Sequence, residues 1–248
     1  MPPPWRDRSG ARQFPDVCIL AGGLGSRLGP ITESVPKALV PVAGEPFLHH
    51  PLRALEVAGA DRVLLCVGHL GKQIETVIGS QFGSVIVDYS FDGPEPAGSL
   101  GAVRRAAPRL ASRFLVMYGD TYLRLDYLDF YRAWLASGRL GGMTVLCNQD
   151  RWGRSNVVYG DALVRRYDKE RRSEEMQWID YGLGALTREA LSTVDSEERD
   201  LSALYRALAT AGELFGYEVT DRFYEIGTPA GLRETEVFLA KGNPGVGR

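Results

Sequence analysis

A glycine-rich run near the start of the chain, AGGLGSRLGPITESVPK, contains residue types suited to binding a polyphosphate. Arg27 provides a planar fork of N–H donors that matches phosphate oxygens, and Lys37 provides a compact ammonium after a proline. Three glycines at the start of the run carry no Cβ, namely Gly22, Gly23 and Gly25. The backbone of such a turn can approach a ligand closely, and its successive N–H groups can form a concavity that binds anions. The run therefore predicts a loop that binds a polyphosphate.

Two commoner glycine-rich loops do not fit this run. A Walker A loop ends in Gly-Lys followed by Ser or Thr, and the run has no such ending. A dinucleotide-binding fingerprint that starts at Gly23 requires Gly or Ala at position 28, where this chain has Leu28. An ordinary turn between a strand and a helix stays the alternative to a phosphate-binding loop.

The carboxylate of Asp120 is a second group that could do chemistry. It follows the apolar segment FLVMY and Gly119, so we expect it at the carboxyl end of a buried strand. Open α/β folds bind their ligands at that edge of the sheet. Because Mg²⁺ prefers oxygen ligands and substrate phosphates, we interpret Asp120 as a magnesium ligand. The alternative is that Asp120 only caps a turn before Thr121.

The elements that must position these groups alternate along the first half of the chain. Apolar runs bounded by turn residues predict strands at 16–21, 62–68, 84–90 and 113–118. Apolar residues at helical spacing predict helices at 46–58, 70–79, 98–110 and 125–137. This alternation is typical of βαβ units and predicts a mostly parallel sheet flanked by helices.

The pattern changes after residue 140. Strand-like segments follow one another with short connections, in the sequences GMTVLCN, SNVVYG, ALVRRY and MQWIDYGLGAL. Helical patterns return at 199–212 and 228–240. We expect this half to extend the sheet and to cover the side where an acceptor substrate binds. In the absence of a repeat or a long linker, the sequence predicts a loose leader at 1–14 and a single domain at 15–248.

Composition argues against several classes of function. The 248 residues include 29 basic and 31 acidic side chains, which argues against a nucleic-acid-binding surface. No apolar run approaches the ~18 residues of a membrane-spanning helix, and the N-terminal residues lack the apolar core of a secretory signal. Three cysteines lie in apolar runs, namely Cys18, Cys66 and Cys147. We interpret them as buried free thiols in a reducing cytoplasm. From the charge balance and the short apolar runs, we expect no nucleic-acid or membrane partner.

The complete glycine run resembles the signature of the sugar-1-phosphate nucleotidyltransferases. Their pattern is approximately L-A-G-G-x-G-x-R-L-x-P-x-T, followed by P-K and then P-V. This chain matches it at residues 20–32, Pro36, Lys37, Pro41 and Val42. The resemblance implies an α/β, Rossmann-like three-layer fold with a mostly parallel, mixed sheet flanked by helices. It also implies a nucleotide-binding half at about 15–140 and a sugar-phosphate-binding half at about 141–240.

The resemblance implies that a sugar 1-phosphate attacks the α-phosphorus of a nucleoside triphosphate, which releases pyrophosphate and forms a nucleotide sugar. Arg27 is then expected to hold the β- and γ-phosphates, and Lys37 to reach the phosphates where donor and acceptor meet. Asp120 is expected to bind Mg²⁺ together with Glu225, which stands where relatives carry the aspartate of Asp-x-Gly-Thr-Pro. The alternative is that Glu225 only neighbours Thr228 at the start of the last helix.

The segment YSFDGPEPAGSLGAV resembles the base-binding stretch of the family. A carboxylate such as Asp92 only accepts hydrogen bonds, which suits the paired N–H donors of guanine and favours GTP. Glu95 competes for this role, and the alternative is that Asp92 only shapes a turn. The predicted nucleotide-binding residues are Leu20, Ala21, Gly22, Gly23, Gly25, Ser26, Arg27, Asp92, Gly98 and Ser99.

On the acceptor side, the predicted sugar-phosphate-binding residues are Lys37, Gly119, Asn156, Lys169, Asp180 and Gly182. Lys169 stands where relatives have a Glu-Lys element, so we expect it to bind the acceptor phosphate. The alternative is a solvated lysine within a run of charged residues. Asp180 replaces an asparagine that is usual in the family, which indicates a different pattern of sugar hydroxyls.

The resemblance is strongest to small bacterial heptose-1-phosphate guanylyltransferases, so we predict guanylyl transfer to a heptose or a related sugar. Mannose-1-phosphate guanylyltransferases are similar, as are uridylyl-, thymidylyl- and cytidylyltransferases of the same family. A metal-dependent glycosyltransferase is a different class, but the second aspartate of its Asp-x-Asp motif is missing after Asp120. The other class is a catalytically silent subunit that binds a nucleotide sugar. A homodimer is compatible with each of these functions.

Overall fold

The computed structural model of the protein describes residues 14–242. Residues 1–13, nearly all of the predicted leader, lie outside the described residues. Phe14, the last residue assigned to that leader, is instead buried in the core, with 3% of its surface exposed. Within the described stretch, no helix has the length and apolar character needed to cross a membrane.

Strands occur where the sequence predicts them in the first half, with small shifts of their ends. In chain order they are β1 (Asp16–Leu20), β2 (Pro41–Val42), β3 (Glu45–Pro46), β4 (Arg62–Val67), β5 (Gln81–Phe82), β6 (Val85–Phe91), β7 (Arg113–Tyr118), β8 (Thr121–Tyr122), β9 (Gly141–Cys147), β10 (Val157–Gly160), β11 (Leu163–Tyr167), β12 (Trp178–Thr187), β13 (Leu214–Val219) and β14 (Tyr224–Glu225).

The helices also follow the predicted order. They are α1 (Ile31–Ser34), α2 (His49–Val57), α3 (Gly71–Ile78), α4 (Gly98–Ala106), α5 (Tyr127–Ser137), α6 (Leu201–Thr210) and α7 (Pro229–Ala240). Three of them begin at a side-chain cap, in which Asp126, Asp200 or Thr228 accepts a hydrogen bond from a backbone N–H of the first turn.

Ten strands form one twisted sheet in the order β10-β11-β13-β9-β12-β7-β1-β4-β6-β5. The four strands β7, β1, β4 and β6 are parallel, as expected for βαβ units, whereas β12 joins β7 in the antiparallel sense. Strand β4, which comes earlier in the chain, lies on one side of β1, and the later strand β7 lies on the other side of β1. The crevice between β1 and β7 is therefore a topological switch point, where open α/β sheets bind ligands.

Apolar side chains fill both faces of the sheet, which confirms the predicted three-layer fold. Helices α2, α3 and α5 pack on one face, where Leu52, Ile74 and Trp134 are buried. Helices α4 and α6 pack on the other face, where Val103 and Leu204 are buried. Burying a large aliphatic side chain stabilises a fold by roughly 1.5–3 kcal/mol, so these layers hold the strand ends rigidly in register.

A smaller cluster fastens helix α7 to the edge of the domain. Ile226, which follows strand β14, is buried with Val42 and Phe47. The ring of Phe238 on α7 stacks on Tyr224 of β14, with ring centroids 3.9 Å apart. This packing places the C-terminal residues of the described chain beside the loops that follow β1 and β7.

The structure corrects three sequence-based expectations. The helix predicted at 46–58 begins only at His49, because Glu45 and Pro46 pair with β2 in a short hairpin. The apolar pattern predicts no strand at 214–219, yet β13 lies inside the sheet, parallel to β9. Cys18 and Cys66 are buried free thiols as expected, whereas Cys147 is half-buried.

Candidate active site

A cleft of about 440 Å³ opens at the carboxyl ends of β1 and β7. Leu20 and Tyr118 are paired at the ends of these strands, and Gly119 N donates to Leu20 O at 2.8 Å. The backbone therefore fixes where both following loops begin. The predicted residues that line the cleft are Leu20, Ala21, Gly22, Gly23, Gly25, Ser26, Arg27, Lys37, Asp92, Gly98, Ser99, Gly119 and Asp120.

The glycine-rich run forms one wall of the cleft, as its composition predicts. Gly25 has a φ of 67°, in the left-handed region that favours glycine. A Cβ at this position would lie 2.9 Å from Thr32 Cγ2 and 3.1 Å from Lys37 Cβ. The hydroxyl of Thr32 donates to the carbonyl oxygens of Gly25 and Gly29, at 3.0 Å each. The buried threonine of the motif therefore closes the loop, a role that sequence reasoning had not assigned.

Lys37 and Asp120 form an ion pair on the floor of the cleft. Lys37 Nζ donates to Asp120 Oδ2 at 2.5 Å. Only 10% of the lysine side chain is exposed, compared with 33% of the aspartate side chain. Burying an ammonium is costly unless it is paired, so Asp120 stabilises Lys37 in this position. The predicted cation and the predicted metal carboxylate are thus neighbours.

Arg27 approaches the same point from the glycine-rich loop. It is exposed, on a short 3₁₀ turn over Ser26–Leu28. A Cβ placed on Gly227 would lie 3.1 Å from Lys37 Nζ and 3.3 Å from Arg27 Nη2. Both cations therefore converge on the backbone of Gly227, which a larger residue would obstruct. The Glu225 carboxylate lies against the same Cβ position and Asp120 pairs with Lys37, so two cations and two carboxylates meet beside the loop.

Glu225 lies on strand β14, which pairs with β8, the strand that follows Asp120. It pairs with Thr121 across β14 and β8, and Ile226 N donates to Asp120 O at 3.0 Å. The Glu225 carboxylate accepts hydrogen bonds from Gly227 N and from Thr228 Oγ1. It therefore stabilises the turn into helix α7, which is the alternative role that the sequence analysis left open.

The residues of this site could supply two carboxylate ligands to a divalent cation, but not a complete ligand shell. Within residues 14–242, no three His, Cys, Asp or Glu side chains come together as a ligand group. Asp120, just before β8, and Glu225, on the paired strand β14, offer carboxylate oxygens, which suit a hard cation. Mg²⁺ commonly takes one or two protein carboxylates and completes its shell with substrate phosphates and water, so this donor set fits a cation that arrives with a triphosphate.

Asp92 lies on the opposite side of the cleft, after strand β6. It is 8% exposed, and its Oδ2 accepts a hydrogen bond from Ala97 N at 3.3 Å. Burial raises the pKa of Asp92, whereas the Ala97 hydrogen bond and the charge of Arg105 act in the opposite direction. Glu95, the competing carboxylate, does not line this cleft. Asp92 therefore both shapes its turn and faces the ligand space.

Gly98 and Ser99 also line the cleft, but their contacts differ from those expected. The backbone of Gly98 packs against Arg199, whose carbonyl oxygen would lie 2.5 Å from a Cβ at position 98. Ser99 Oγ donates to Asp200 Oδ1 and accepts from Leu201 N at 2.8 Å. These bonds join the N-terminal ends of α4 and α6. In this structure, Gly98 and Ser99 therefore stabilise the packing of the two helices beside the cleft.

The acceptor-side residues form a connected group that lies outside the cleft lining. Asn156 Oδ1 accepts from Asp180 N, and Asp180 Oδ1 accepts from Gly182 N, both at 3.0 Å. Gly182 has a φ of 104° at an irregularity of β12, and a Cβ there would contact Thr121. The structure therefore brings three predicted residues together beside the strand that follows Asp120.

Lys169 reaches this group from the loop after β11. Its Nζ lies 3.8 Å from Asp180 Oδ2 and 3.5 Å from the hydroxyl of Tyr118. Tyr118 lines the cleft and connects Lys169 to it, although sequence reasoning assigned Tyr118 no function. The signal available was its position, since Tyr118 directly precedes the Gly-Asp pair at the end of β7.

Comparison with known proteins gives a family for most of the chain. Residues 17–211 match the profile of the MobA-like NTP transferase domain. This match begins in β1 and ends just after α6, so it includes the glycine-rich loop, Asp92, Asp120 and the acceptor-side group.

Two curated relatives are named D-glycero-alpha-D-manno-heptose 1-phosphate guanylyltransferase. The protein of Aneurinibacillus thermoaerophilus is 34% identical over 112 residues, which is 45% of this chain and 48% of that protein. The protein of Campylobacter jejuni is 28% identical over 220 residues, which is 85% of this chain and 94% of that protein. The match therefore spans about half of the Aneurinibacillus thermoaerophilus protein and nearly all of the Campylobacter jejuni protein.

A solved structure of HddC from Yersinia pseudotuberculosis, complexed with GMP-PN, is also similar. It superposes with a TM-score of 0.76 at 27% identity, and the match covers 90% of this chain and 99% of that chain. The arrangement of strands and helices described above is therefore shared over nearly the full length of both chains.

Proposed function

Because the chain belongs to the MobA-like NTP transferase family and to its sugar-1-phosphate nucleotidyltransferases, we propose that it transfers a guanylyl group from GTP to a heptose 1-phosphate or a related sugar 1-phosphate. The products are a nucleotide sugar and pyrophosphate. The observation that carries this proposal is the convergence of Arg27 and Lys37 on Gly227, beside the Lys37–Asp120 pair.

The attacking group is already an anionic phosphate oxygen, so the reaction needs no strong general base. The difficulty is to bring two polyanions together and to stabilise charge on the α-phosphoryl oxygens and the leaving pyrophosphate. Positioning and electrostatics supply most of the catalysis in phosphoryl transfer. Arg27 and the loop N–H groups hold the β- and γ-phosphates, and Lys37 stabilises charge where donor and acceptor meet.

Asp120 and Glu225 are the residues that would hold the metal of this family, which we propose is Mg²⁺. When bound, a divalent cation neutralises phosphate charge and orients the triphosphate. The protein contributes the carboxylate of Asp120, held in place by Lys37 and by its position after β7. Glu225 contributes a second carboxylate while it stabilises the turn into α7.

The assignment of guanine rests on Asp92. Its carboxylate only accepts hydrogen bonds, which matches the adjacent N–H donors of the guanine edge. Asp92 lines the cleft, and Glu95 does not. The two heptose-1-phosphate guanylyltransferases and the HddC structure complexed with GMP-PN support the same base.

Assignment of the acceptor rests on the group that contains Lys169 and Asp180. An ammonium beside the end of β7 suits the phosphate of a sugar 1-phosphate. The buried Asp180 carboxylate accepts hydrogen bonds from Gly182 N and from the Tyr167 hydroxyl, and so holds the residues around the acceptor in place. The nearly complete coverage of the Campylobacter jejuni relative supports a seven-carbon sugar. We propose a cytoplasmic enzyme with no nucleic-acid or membrane partner.

A matrix of four nucleoside triphosphates against several sugar 1-phosphates, read by pyrophosphate release with Mg²⁺, tests this proposal. We expect the highest turnover with GTP and D-glycero-α-D-manno-heptose 1-phosphate, followed by mannose 1-phosphate. Higher turnover with UTP or dTTP would contradict the guanylyl assignment alone. Absence of pyrophosphate release with every pair, combined with binding of a nucleotide sugar, would instead favour a non-catalytic binding protein.

A further inference from the structure

We propose that Tyr118 is a positioning residue for the acceptor phosphate, which holds the Lys169 ammonium beside the cleft. The inference rests on the proposed function, because it concerns the acceptor side of the same site. Tyr118 is the last residue of β7 and precedes Gly119 and Asp120. The side chain therefore lies between the phosphate-binding end of the cleft and the group around Asp180.

The direction of the Tyr118 side chain follows from the alternation of β7. Val116 faces the layer of α4 and α6, so Tyr118, two residues later, faces the same layer. Tyr167 of β11 and Tyr205 of α6 meet in that layer, with ring planes nearly perpendicular and centroids 5.9 Å apart. Tyr118 thus faces the layer that contains these two rings, and it also lines the cleft.

Lys169 contacts Tyr118 in two ways. Its Nζ donates to the Tyr118 hydroxyl at 3.5 Å and lies 5.2 Å from the centroid of the Tyr118 ring. The centroid of the Tyr167 ring lies 5.8 Å from the same ammonium. A lysine that contacts two rings loses fewer rotamers when a phosphate binds, which reduces the entropic cost of binding.

The Tyr118 hydroxyl presents a lone pair to the Lys169 ammonium. The Lys169 side chain is 43% exposed, and its Nζ lies 3.8 Å from Asp180 Oδ2, so the ammonium stays accessible to an acceptor phosphate.

A double-mutant cycle with Tyr118→Phe and Lys169→Met tests the proposal, with GTP and D-glycero-α-D-manno-heptose 1-phosphate as substrates. We expect Tyr118→Phe to raise the KM for the sugar phosphate about 5- to 10-fold, as loss of one hydrogen bond to a charged group does, and to leave the KM for GTP unchanged. The same change in a Lys169→Met background should have little further effect, because Tyr118 acts through Lys169. Additive effects, or equal effects on both KM values, would overturn the proposal.

Tyr131→Phe is the matched control, because Tyr131 is a half-buried tyrosine on α5 that packs against Trp134. We expect its KM values to equal those of the wild type. Binding of inorganic phosphate, measured by calorimetry, separates the two proposals. Weaker phosphate binding in both Tyr118→Phe and Lys169→Met supports the positioning role even if the wild type releases no pyrophosphate. Unchanged phosphate binding in Tyr118→Phe overturns that role, whatever the turnover.

Discussion

Lys37 and Asp120 lie 83 positions apart in the sequence, and their side chains meet at 2.5 Å. The lysine follows the loop after β1, and the aspartate follows β7, the neighbouring parallel strand. The Lys37 ammonium would be costly to bury alone, because a buried ammonium needs a partner. The pair therefore fixes, in a single arrangement, the cation proposed to bind phosphate and the carboxylate proposed to bind the metal.

The first prediction concerns Arg27, which lies on an exposed turn and reaches Gly227. Arg27→Ala should lower kcat by roughly 10²–10³-fold, because it removes a donor to the leaving pyrophosphate. The melting temperature should change little, since the side chain is exposed. Steady-state pyrophosphate release and a thermal melt measure the two effects. Arg132→Ala, on the exposed face of α5, is the control and should keep wild-type turnover. If Arg27→Ala retained full turnover, Arg27 would have no part in the mechanism.

The second prediction separates the two carboxylates proposed to bind Mg²⁺. Asp120→Asn should abolish nearly all turnover and leave the Lys37 ammonium without its ionic partner, so it should also lower the melting temperature. Glu225→Gln keeps an oxygen for the turn and should raise the Mg²⁺ concentration for half-maximal activity by about 10–100-fold. Activity measured across Mg²⁺ concentrations, together with thermal melts, gives both results.

The control for the carboxylate series is Asp161→Asn, because Asp161 lies in an exposed turn between β10 and β11. We expect it to show the wild-type response to Mg²⁺. If Glu225→Gln lowered only the melting temperature and left the Mg²⁺ response unchanged, Glu225 would serve the turn into α7 and not the metal.

The parts of this site that could be predicted are those that depend on one segment and its neighbour. Leu20 and Tyr118 end adjacent parallel strands, so the loop after each strand reaches the same edge of the sheet. The sequence pattern predicts that Asp120 lies at the carboxyl edge of the sheet, and the family resemblance assigns Arg27, Lys37 and Asp120 to one site.

The contact between Tyr118 and Lys169 was not predictable in the same way. It depends on the order β11-β13-β9-β12-β7, in which strands distant in sequence are neighbours. Strand β13 itself was missed because Gly216 interrupts its apolar pattern, and glycine is unfavourable in a strand interior. In the structure the Tyr159 ring occupies the space over Gly216, where a Cβ would lie 2.6 Å from the ring. Only the tertiary packing explains that glycine.

The third prediction uses the pKa of Asp92, which burial raises. The folded state then binds this proton more tightly than the unfolded state, so the Asp92 charge lowers the free energy of unfolding as pH rises through the raised pKa. Asp92→Asn removes the charge and keeps an oxygen for Ala97 N. The variant should be at least as stable as the wild type at neutral pH and lose this advantage at acid pH. Urea unfolding at several pH values measures the difference.

The same substitution tests the role of Asp92 in base recognition. An amide presents one acceptor and one donor, so Asp92→Asn should reduce the preference for GTP over UTP by about 10-fold or more, as one mismatched hydrogen-bonding group does. Glu95→Gln is the matched control, because Glu95 does not line the cleft. An unchanged ratio of kcat/KM for the two nucleotides in Asp92→Asn would assign base recognition to other groups.

The last prediction compares two glycines of the phosphate-binding loop. Gly25 has a φ of 67°, and a Cβ there would lie 2.9 Å from Thr32, so Gly25→Ala must strain the backbone and move the loop. We expect a loss of about 1–2 kcal/mol in the free energy of unfolding, the cost of a left-handed residue with a side chain, together with a higher KM for GTP. Gly23→Ala is the matched control for stability, because a Cβ at position 23 meets no atom within 4 Å. Denaturant unfolding and nucleotide kinetics of both variants make the comparison. Equal stability of the two variants would contradict the strained geometry assigned to Gly25. A KM for GTP that rises only in Gly25→Ala would connect that geometry to the binding of the triphosphate.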